Sequence, residues 1–310
     1  MDNSAQTSMD SQPIAGEGAN PNQRRWAEPG VLYILATPIG NRADLSERAR
    51  QLLTEVDWIA AEDTRHVKRL TQQLPVRART VALHQHNEQS ATQQLLARLA
   101  DGASIALVSD AGTPLISDPG ADLVAAVRAA GFAVSPIPGP AAVVAALSAA
   151  GLPAQPFWFE GFLPAKKPAR EQRLTTLSEL SATLVFYEAP HRIEACVQSI
   201  IHVFGPEHPA AIARELTKRY EQIVNAPIGA LQTALAEGEI PVRGEFVLLL
   251  GPKQQQSASA AEQQADSSAL IEAMLQADIA PRAIVDVVRK TTQRPRNAVY
   301  KQVMATRNAR

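Results

Sequence analysis

The segment from Ser109 to Gly120, SDAGTPLISDPG, is the part of the sequence whose residue types best suit ligand binding. It holds two glycines, two prolines and two aspartates, which is more backbone constraint than a simple turn needs. The run from Gly112 to Pro114 can present successive backbone N–H and C=O groups to a ligand. Asp110 and Asp118 add carboxylate acceptors for ribose hydroxyl or amino groups. The segment therefore predicts a ligand-binding loop.

Two further short motifs contain small or turn-forming residues that let a ligand approach the backbone. TPIGN, residues 37–41, places Pro38 and Gly40 where a tight turn would follow a strand. PGPAA, residues 138–142, brings small side chains to the start of a helix. Taken alone, the first motif is equally consistent with an ordinary strand-to-helix turn, and the second favours packing over chemistry.

A second polar cluster could supply acid–base or phosphate chemistry. In AEDTRH, residues 61–66, Arg65 could bind a phosphate bidentately while a neighbouring carboxylate accepts a hydroxyl proton. The same residues could instead form a local ion-pair network at the start of a helix. HQHNEQ, residues 84–89, adds two histidines, an asparagine and a glutamate nearby. No further Cys, His or Asp pattern completes a zinc site, so we expect no metal.

Composition and the missing motifs exclude several classes of protein. The 310-residue chain has a net charge of −1, so its overall charge does not indicate nucleic-acid binding. Its single cysteine excludes a disulfide framework. No apolar run follows Met1 and none is long enough to cross a bilayer, so we expect a soluble, cytoplasmic protein without membrane contact. The pattern GxxxxGK(S/T) is missing, and no GxGxxG follows the first apolar run. A P-loop enzyme or an ordinary dinucleotide-binding enzyme is therefore not expected.

The elements that must position these loops form an alternating pattern of apolar and amphipathic segments. Across residues 29–150, short apolar runs beginning with VLYILA at 31–36 alternate with helical patterns. They predict a mostly parallel sheet covered on both faces, with the polar loops at the carboxyl ends of its strands. Across 151–252 the later apolar runs have fewer helices between them, which predicts a mixed sheet with an antiparallel hairpin. The fold class is thus α/β with two domains, hinged at 151–156.

The two ends of the chain differ from this α/β region. Residues 1–28 are rich in small polar residues and predict a disordered tail, and residues 253–267 predict a polar linker. Residues 268–310 return to helical periodicity and predict a small helix-turn-helix-like module. Residues 281–310 carry a local net charge of +7, which suits either RNA contact or a solvated helix face.

Basic residues in two places are candidates for contact with an RNA backbone. EGFLPAKKPAREQR, residues 160–173, is interpreted as a flexible basic loop, although it could also be ordinary surface. The C-terminal module supplies the second set. The candidate residues for RNA contact are Lys166, Lys167, Arg170, Arg173, Arg289, Lys290, Arg294 and Arg296.

Taken together, nine ordered strings resemble the tetrapyrrole methylase-like superfamily and, within it, most closely the ribosomal RNA small subunit methyltransferase I family. The resemblance runs from about Val31 to Gly251, and the C-terminal helical module also looks like that family's appendage. The matching strings are TPIGN, AEDTRH, HNEQ, SDAGTPLISDPG, PGPAA, EGFLPAK, FYEAPHR, ARELTK and GEFVLLL. One departure from tetrapyrrole-acting relatives is the run Gly112-Thr113-Pro114, where they typically have Gly-Asp-Pro. That departure puts a tetrapyrrole substrate in doubt.

The resemblance implies a homodimer of two-domain α/β protomers that uses S-adenosylmethionine, folded into the cleft between the domains. It implies methylation of the ribose 2′-oxygen of a cytidine in the decoding region of 16S ribosomal RNA, as free RNA or in the small ribosomal subunit. The residues expected to bind the cofactor are Pro38, Gly40, Asp110, Gly112, Thr113, Pro114, Leu115, Ile116, Ala141, Ala142, Tyr187, Glu188 and Leu216.

The chemistry would be in-line attack of a ribose hydroxyl on an activated methyl group, so the protein must mainly align the reactants and exclude water. A carboxylate or imidazole could assist by accepting the hydroxyl proton. The residues expected to face the substrate are Glu62, Asp63, Arg65, His86 and Asn87, and the sequence selects no base among them. A same-fold enzyme acting on a tetrapyrrole and a non-catalytic RNA-binding assembly protein remain alternatives. The basic segments disfavour the first, and the glycine-rich loops disfavour the second.

Overall fold

The computed structural model describes residues 25–84, 86–253, 260–277, 279–292 and 295–308. The predicted tail falls mostly outside this range. Its last residues are packed, because Ala27 is buried and the backbone N–H groups of Trp26 and Ala27 donate to the carboxylate of Glu55. The ordered part of the first domain therefore begins before the expected boundary at residue 29.

Five parallel strands form the sheet of the first domain in the order β3-β2-β4-β1-β5. The expected parallel sheet is confirmed, and its buried strands come from the continuous apolar runs. The strands are β1 (Val31–Leu35), β2 (Trp58–Ala61), β3 (Arg79–Ala82), β4 (Ile105–Val108) and β5 (Ala133–Ile137).

Helices connect these strands, and the first two begin at capping side chains. The side chain of Ser46 accepts a hydrogen bond from the N–H of Ala49, and that of Asp63 accepts one from Arg65. The helices are α1 (Glu47–Glu55), α2 (Thr64–Leu70), α3 (Glu88–Ala100), α4 (Ala121–Ala129) and α5 (Ala142–Ala149).

The second domain contains a mixed five-stranded sheet in the order β6-β7-β10-β8-β9. Strands β6 and β7 are parallel, whereas the other three pairings are antiparallel, and β8 and β9 form the expected hairpin. The strands are β6 (Phe157–Phe162), β7 (Thr183–Glu188), β8 (Pro209–Arg214), β9 (Gln222–Pro227) and β10 (Phe246–Leu250). The helices are α6 (Lys167–Leu177), α7 (Ile193–Phe204) and α8 (Ile228–Ala236).

Three helices follow the second domain and form a separate core. They are α9 (Ala260–Gln276), α10 (Pro281–Thr292) and α11 (Arg296–Asn308). Ile271, Ile284, Val288 and Val303 are among the buried residues of this core. Because α9 begins at Ala260, part of the predicted linker at 253–267 is helical. No helix in the described ranges is long and apolar enough to cross a membrane.

Helix α5 joins the two α/β domains. It packs on the second sheet, where Val143 and Leu147 share one apolar cluster with Val185 of β7 and Leu249 of β10. The loops at the carboxyl ends of β1 and β4 are thereby held against the second domain, and the junction between the domains contains the site described next.

Candidate active site

The predicted ligand-binding loop after β4 is fixed to the loop after β1. Thr37 and Gly112 exchange two backbone hydrogen bonds, of 2.8 and 3.0 Å, as an isolated antiparallel bridge. The Ser109 hydroxyl donates to the Gly112 carbonyl, and the Thr37 hydroxyl donates to the Ser109 carbonyl. Gly112 has a φ of +86°, a conformation that suits glycine. These contacts rigidify one wall of a cleft.

The cleft between the two domains has a volume of about 360 Å³, within the range of small-molecule sites. One wall is the loop from Asp110 to Asp118, and the start of α5 adjoins it. The other wall comes from the end of β6, the end of β7 and the start of β10. The lining residues are Ile39, Asp110, Ala111, Gly112, Thr113, Ile116, Ser117, Asp118, Ala141, Ala142, Phe162, Tyr187, Glu188, Ala189, Pro190, Glu245, Phe246 and Val247.

The thirteen residues expected to bind the cofactor fall into three groups. Those that line the cleft are Asp110, Gly112, Thr113, Ile116, Ala141, Ala142, Tyr187 and Glu188. Pro38 and Gly40 instead line an adjoining depression that also reaches Asp110. Pro114, Leu115 and Leu216 line neither of these two spaces. Leu216 is buried in the apolar cluster between the domains, where it can only support the cleft.

Gly40 has a different structural role from the one its sequence suggests. A Cβ atom there would lie 2.4 Å from Cγ of Lys218 and 2.8 Å from Oγ1 of Thr217. The backbone N–H of the next residue, Asn41, donates to the Thr217 hydroxyl. Gly40 therefore permits the close approach of the two domains beside the cleft.

Tyr187 links the second sheet to the start of α5. Its hydroxyl accepts a hydrogen bond of 3.2 Å from the N–H of Val143, in the first turn of a helix that has no side-chain cap. The rings of Phe159 and Phe162 meet Tyr187 edge to face, with centroids 4.8 and 5.9 Å away. Tyr187 is thus held in one orientation in the wall of the cleft that the second domain supplies.

Glu188 places a buried carboxylate at the cleft. Its side chain has no exposed surface; Oε1 accepts from the N–H of Ala189 and lies 3.0 Å from Nε of Arg192. Oε2 accepts no hydrogen bond from any described residue. With no accessible surface, this oxygen faces the interior beside the buried thiol of Cys196, whose pKa the charge of Glu188 helps to raise, and the carboxylate anchors Arg192 behind the cleft wall.

Three carboxylates cluster at the loop side of the cleft. Burial raises the pKa of Asp118 to about 6, and the negative charge of Glu62 adds to the rise. Burial and the charge of Asp110 also raise the pKa of Glu62. The N–H of Asp63 donates to Asp110, which anchors this part of the cluster. Asp118 can therefore exchange a proton near neutral pH.

Asp63 and Arg65, two of the five expected substrate-facing residues, bind each other. The guanidinium of Arg65 donates to both carboxylate oxygens of Asp63, with an Nη2–Oδ2 distance of 2.9 Å. These hydrogen bonds lower the pKa of Asp63 to about 2. The ion-pair alternative recognised in the sequence is therefore realised, and Asp63 is a poor proton acceptor.

Asn87 and His86 are not arranged as two catalytic groups that act together. The Asn87 amide accepts from the N–H of His84 and donates to the carbonyl of Ala82, so it fixes the connection between β3 and α3. His86 is exposed on the same connection. Of the five expected residues, Glu62 is the one whose charge raises the pKa of Asp118. The described residues contain no group of His, Cys, Asp or Glu arranged to hold a metal ion.

The basic segment at 160–173 is mostly strand and helix and not the expected flexible loop, because α6 begins at Lys167 with a proline in its first turn. Arg170 is wrongly predicted as an RNA contact. It is 4% exposed, and its guanidinium donates to the Ser199 hydroxyl and to the carbonyls of Ala165 and Ala195. Such a buried, fully bonded guanidinium has a structural role.

The other candidates for RNA contact have different surroundings. Arg173 forms two hydrogen bonds with the carboxylate of Glu160, whereas Lys166 and Lys167 are exposed at the start of α6. In the C-terminal module Arg289, Lys290 and Arg296 are exposed. Arg294 lies outside the described residues.

Sequence reasoning named Tyr187 and Glu188 but missed the other lining residues contributed by the second domain. Phe162 is 54% exposed at the end of β6, and Glu245, Phe246 and Val247 come from the start of β10. Glu245 and Phe246 stand in the motif GEFVLLL, which indicated a strand but not which end of it would face the cleft. Asp118 was recognised as an acceptor on the loop but not as a member of the carboxylate cluster.

Comparison with known proteins places this fold and cleft in a family. The family model of Tetrapyrrole (Corrin/Porphyrin) Methylases matches residues 31–232. Among solved structures, cobalt precorrin-4 methyltransferase superposes with a TM-score of 0.56 and 19% identity, covering 72% of this chain and 95% of that chain. Diphthine synthase superposes with a TM-score of 0.56 and 14% identity, covering 71% and 90%. At these identities the likeness is one of fold.

Curated relatives are much more similar in sequence, and they have the same name. The ribosomal RNA small subunit methyltransferase I of Xylella fastidiosa (strain Temecula1) is 46% identical over 273 residues, covering 88% of this chain and 98% of that protein. The protein of the same name from Vibrio cholerae is 46% identical, covering 87% and 93%. That of Escherichia coli O157:H7 is 45% identical, covering 89% and 95%. The chain therefore belongs to the tetrapyrrole methylase family and, within it, to the ribosomal RNA small subunit methyltransferase I family.

Proposed function

We propose that this chain transfers a methyl group from S-adenosylmethionine to the ribose 2′-oxygen of a cytidine in the decoding region of 16S ribosomal RNA. The observation that carries the proposal is 46% identity to a ribosomal RNA small subunit methyltransferase I across 98% of that protein's length. The cleft between the domains supports it, because it has the volume and donor–acceptor set of a small-molecule site.

The cleft fits a nucleoside with an amino-acid arm. Small side chains at Ala141 and Ala142 leave room against the start of α5. Glu188 supports the wall of the second domain from behind, through its buried ion pair with Arg192. The backbone of the loop after β4 supplies donors and acceptors. When bound, S-adenosylmethionine supplies a methyl group already activated by its sulfonium.

The residues of this chain then align the acceptor and remove its proton. The rigid loop bridged to Thr37 and the fixed ring of Tyr187 define opposite walls, which favours a single orientation of the reactants. We propose that Asp118, with Glu62 beside it, accepts the proton of the ribose hydroxyl. Its raised pKa keeps it a stronger base than an ordinary aspartate while it remains ionised above about pH 6.

The Asp63–Arg65 pair has a positioning role in this proposal. The pair is exposed and lies at the start of α2, next to Glu62. Arg65 can contact a phosphate of the RNA with the guanidinium N–H groups that Asp63 leaves free. His86 and Asn87 border the same approach, His86 as an exposed side chain and Asn87 as the residue that fixes its loop.

The exposed basic residues would contact the RNA backbone outside the cleft. They are Lys166, Lys167, Arg289, Lys290 and Arg296, together with Arg294 of the undescribed connection. We also propose that the protein acts in the cytoplasm as a homodimer, a state that the molar mass measured by light scattering would test directly.

The experiment for this function uses small ribosomal subunits, and free 16S RNA, from cells that lack the protein. Incubation of each with the purified chain and methyl-labelled cofactor should place one label on a cytidine 2′-oxygen, which mapping of alkali-resistant linkages locates. Label on a base, or on neither RNA form, would contradict the proposal.

Calorimetry of cofactor and RNA binding, together with the labelling assay, distinguishes the two alternatives. A non-catalytic RNA-binding protein would bind RNA but not S-adenosylmethionine. A methyltransferase of a small tetrapyrrole would bind the cofactor and leave RNA unlabelled. The basic module with its own core favours the RNA substrate, because a small substrate has no need of it.

A further inference from the structure

Another depression, separate from the cleft and from the depression that adjoins it, lies at the amino-terminal ends of the strands of the first sheet. It has a volume of about 630 Å³ and is lined by the first residues of β2 and β3 and by the turn that precedes β4. The cleft is at the carboxyl ends of the same strands. A four-residue strand spans roughly 13 Å, so the two sites are separated by at least that distance.

Two arginines contact a tryptophan in this depression, and a third lines it. The guanidinium carbon of Arg98 lies 4.4 Å from the ring centroid of Trp58, and that of Arg79 lies 5.6 Å from it. Arg77 lines the same space. The cation–π contacts hold both guanidinium groups beside the indole ring, where Arg79 is exposed and Arg98 partly exposed.

Three carboxylates also line the depression, those of Glu55, Asp57 and Asp101, and none of them forms an ion pair with these arginines. Glu55 accepts from the N–H groups of Trp26 and Ala27. Asp57 accepts from the N–H and hydroxyl of Ser104, at 2.8 and 2.7 Å. Across the described parts of the chain, no ion pair or side-chain hydrogen bond involves Arg77, Arg79 or Arg98.

We infer that this depression, defined by Trp58, Arg77, Arg79 and Arg98, binds the phosphodiester backbone of the RNA substrate. Open guanidinium edges bind phosphate oxygens bidentately, and stacking on an aromatic ring reduces the entropy lost on binding. A substrate as large as ribosomal RNA extends well beyond the reacting ribose, so it can reach a surface this far from the cleft. The inference rests on the RNA substrate proposed above.

The test removes the charges while keeping the fold. A full-length triple variant carrying Arg77→Gln, Arg79→Gln and Arg98→Gln is assayed with small ribosomal subunits and with free 16S RNA. Three lost phosphate contacts should raise the dissociation constant about thirtyfold near physiological salt. The slope of log Kd against log salt should fall by about three units. The kcat and the affinity for S-adenosylmethionine should remain within about twofold of wild type.

Arg128→Gln is the matched control, because Arg128 is exposed on α4 of the same domain but does not line the depression. It should leave RNA affinity unchanged. A triple variant with wild-type RNA affinity and salt slope overturns the inference, as does one that loses only thermal stability. Failure of the wild-type chain to methylate RNA would contradict the proposed function instead, so the two failures are distinguishable.

Discussion

Asp63 and Asp118 both follow strands of the first sheet, yet their surroundings give the two carboxyl groups opposite properties. Asp63 is exposed and held by Arg65, which lowers its pKa to about 2. Asp118 is half-buried beside Glu62, and its pKa is raised to about 6. A carboxyl group with the first environment stays ionised as a structural anion, whereas one with the second can take up and release a proton at working pH.

Replacing Asp118 with Asn should therefore remove the proton acceptor. We expect kcat to fall about 100-fold, the lower end of a general base contribution. In the wild type, kcat/KM should fall below about pH 6 as Asp118 becomes protonated, and this acidic limb should disappear in Asp118→Asn. The measurement is a pH profile of kcat/KM at subsaturating RNA.

Asp63→Asn is the control for that profile. It keeps an oxygen that can cap α2 but removes the charge that binds the Arg65 guanidinium, so stability should change little and the acidic limb should remain. An acidic limb that persists in Asp118→Asn and disappears in Asp63→Asn would assign the base to the other carboxylate.

Asp118→Asn should also change the stability of the fold. The folded-state pKa of Asp118 lies above its ordinary value of 3.8, so the folded chain binds this proton more tightly than the unfolded chain. The ionised carboxylate thus destabilises the fold above about pH 6, and the penalty disappears as the pH falls towards 4. Asp118→Asn should raise Tm by about 2 °C at pH 8 and by less at pH 5, measured by calorimetry. An equal or lower Tm at pH 8 would contradict this.

Arg170 illustrates what a sequence cannot reveal about single residues. Four basic residues lie within eight positions of one another, and their pattern is typical of an exposed basic surface. Arg170 is nevertheless buried, because α6 turns it towards Ser199 on α7. Burial depends on helix phase and on the partner helix, neither of which is encoded in local charge.

At the scale of elements, the sequence predicted most of the fold because each buried strand is a continuous apolar run. The ten strands and the parallel pairing of the first sheet were found this way. Helices α2 and α8 were not identified as separate elements. They are short, and α2 begins inside a charged motif whose residues suggested chemistry rather than structure.

The candidate site was predictable from strand topology on one side only; on the other side, Tyr187 and Glu188 were expected from the family resemblance. Loops that follow parallel strands must meet at one edge, so the residues of the first domain could be inferred to lie together. The second sheet is mostly antiparallel, so consecutive strand ends point in opposite directions. Phe162 and Glu245 therefore required the structure before they could be placed.

Gly112→Ala tests the loop after β4 as an element. The φ of +86° makes alanine strained there, and its Cβ would meet Ile39 at 3.4 Å beside the bridge to Thr37. We expect a loss of about 1 kcal/mol in unfolding free energy and a rise of about tenfold in the dissociation constant for S-adenosylmethionine. Both are measurable, by denaturant unfolding and by calorimetry.

Gly131→Ala separates backbone strain from damage to the site. Gly131 has a similar φ of +82°, and an added Cβ has nothing within 4 Å. It should lose about the same unfolding free energy and keep wild-type cofactor affinity. If both variants bind the cofactor alike, the bridge between the two loops does not shape the site.

At the scale of the whole molecule, the chain consists of three units with different roles. The first sheet positions the loops of one wall, the second sheet supplies the other wall, and α5 fixes their spacing through the cluster that holds Val143 and Leu147. The C-terminal helices bury their apolar residues among themselves. Cofactor binding should thus depend on the first two units, and RNA binding on the added basic surface of the third.

Deleting residues 253–310 tests this division. Because the removed helices have their own core, the remaining chain should keep its fold and bind S-adenosylmethionine within about twofold of wild type. The KM for small ribosomal subunits should rise at least about tenfold, since several exposed cations leave with the module. A full-length variant with Arg289→Gln, Lys290→Gln and Arg296→Gln should reproduce much of that rise without removing any helix. Equal loss of cofactor and RNA binding in the deletion would show instead that the module supports the cleft, and the charge variant would then retain wild-type KM.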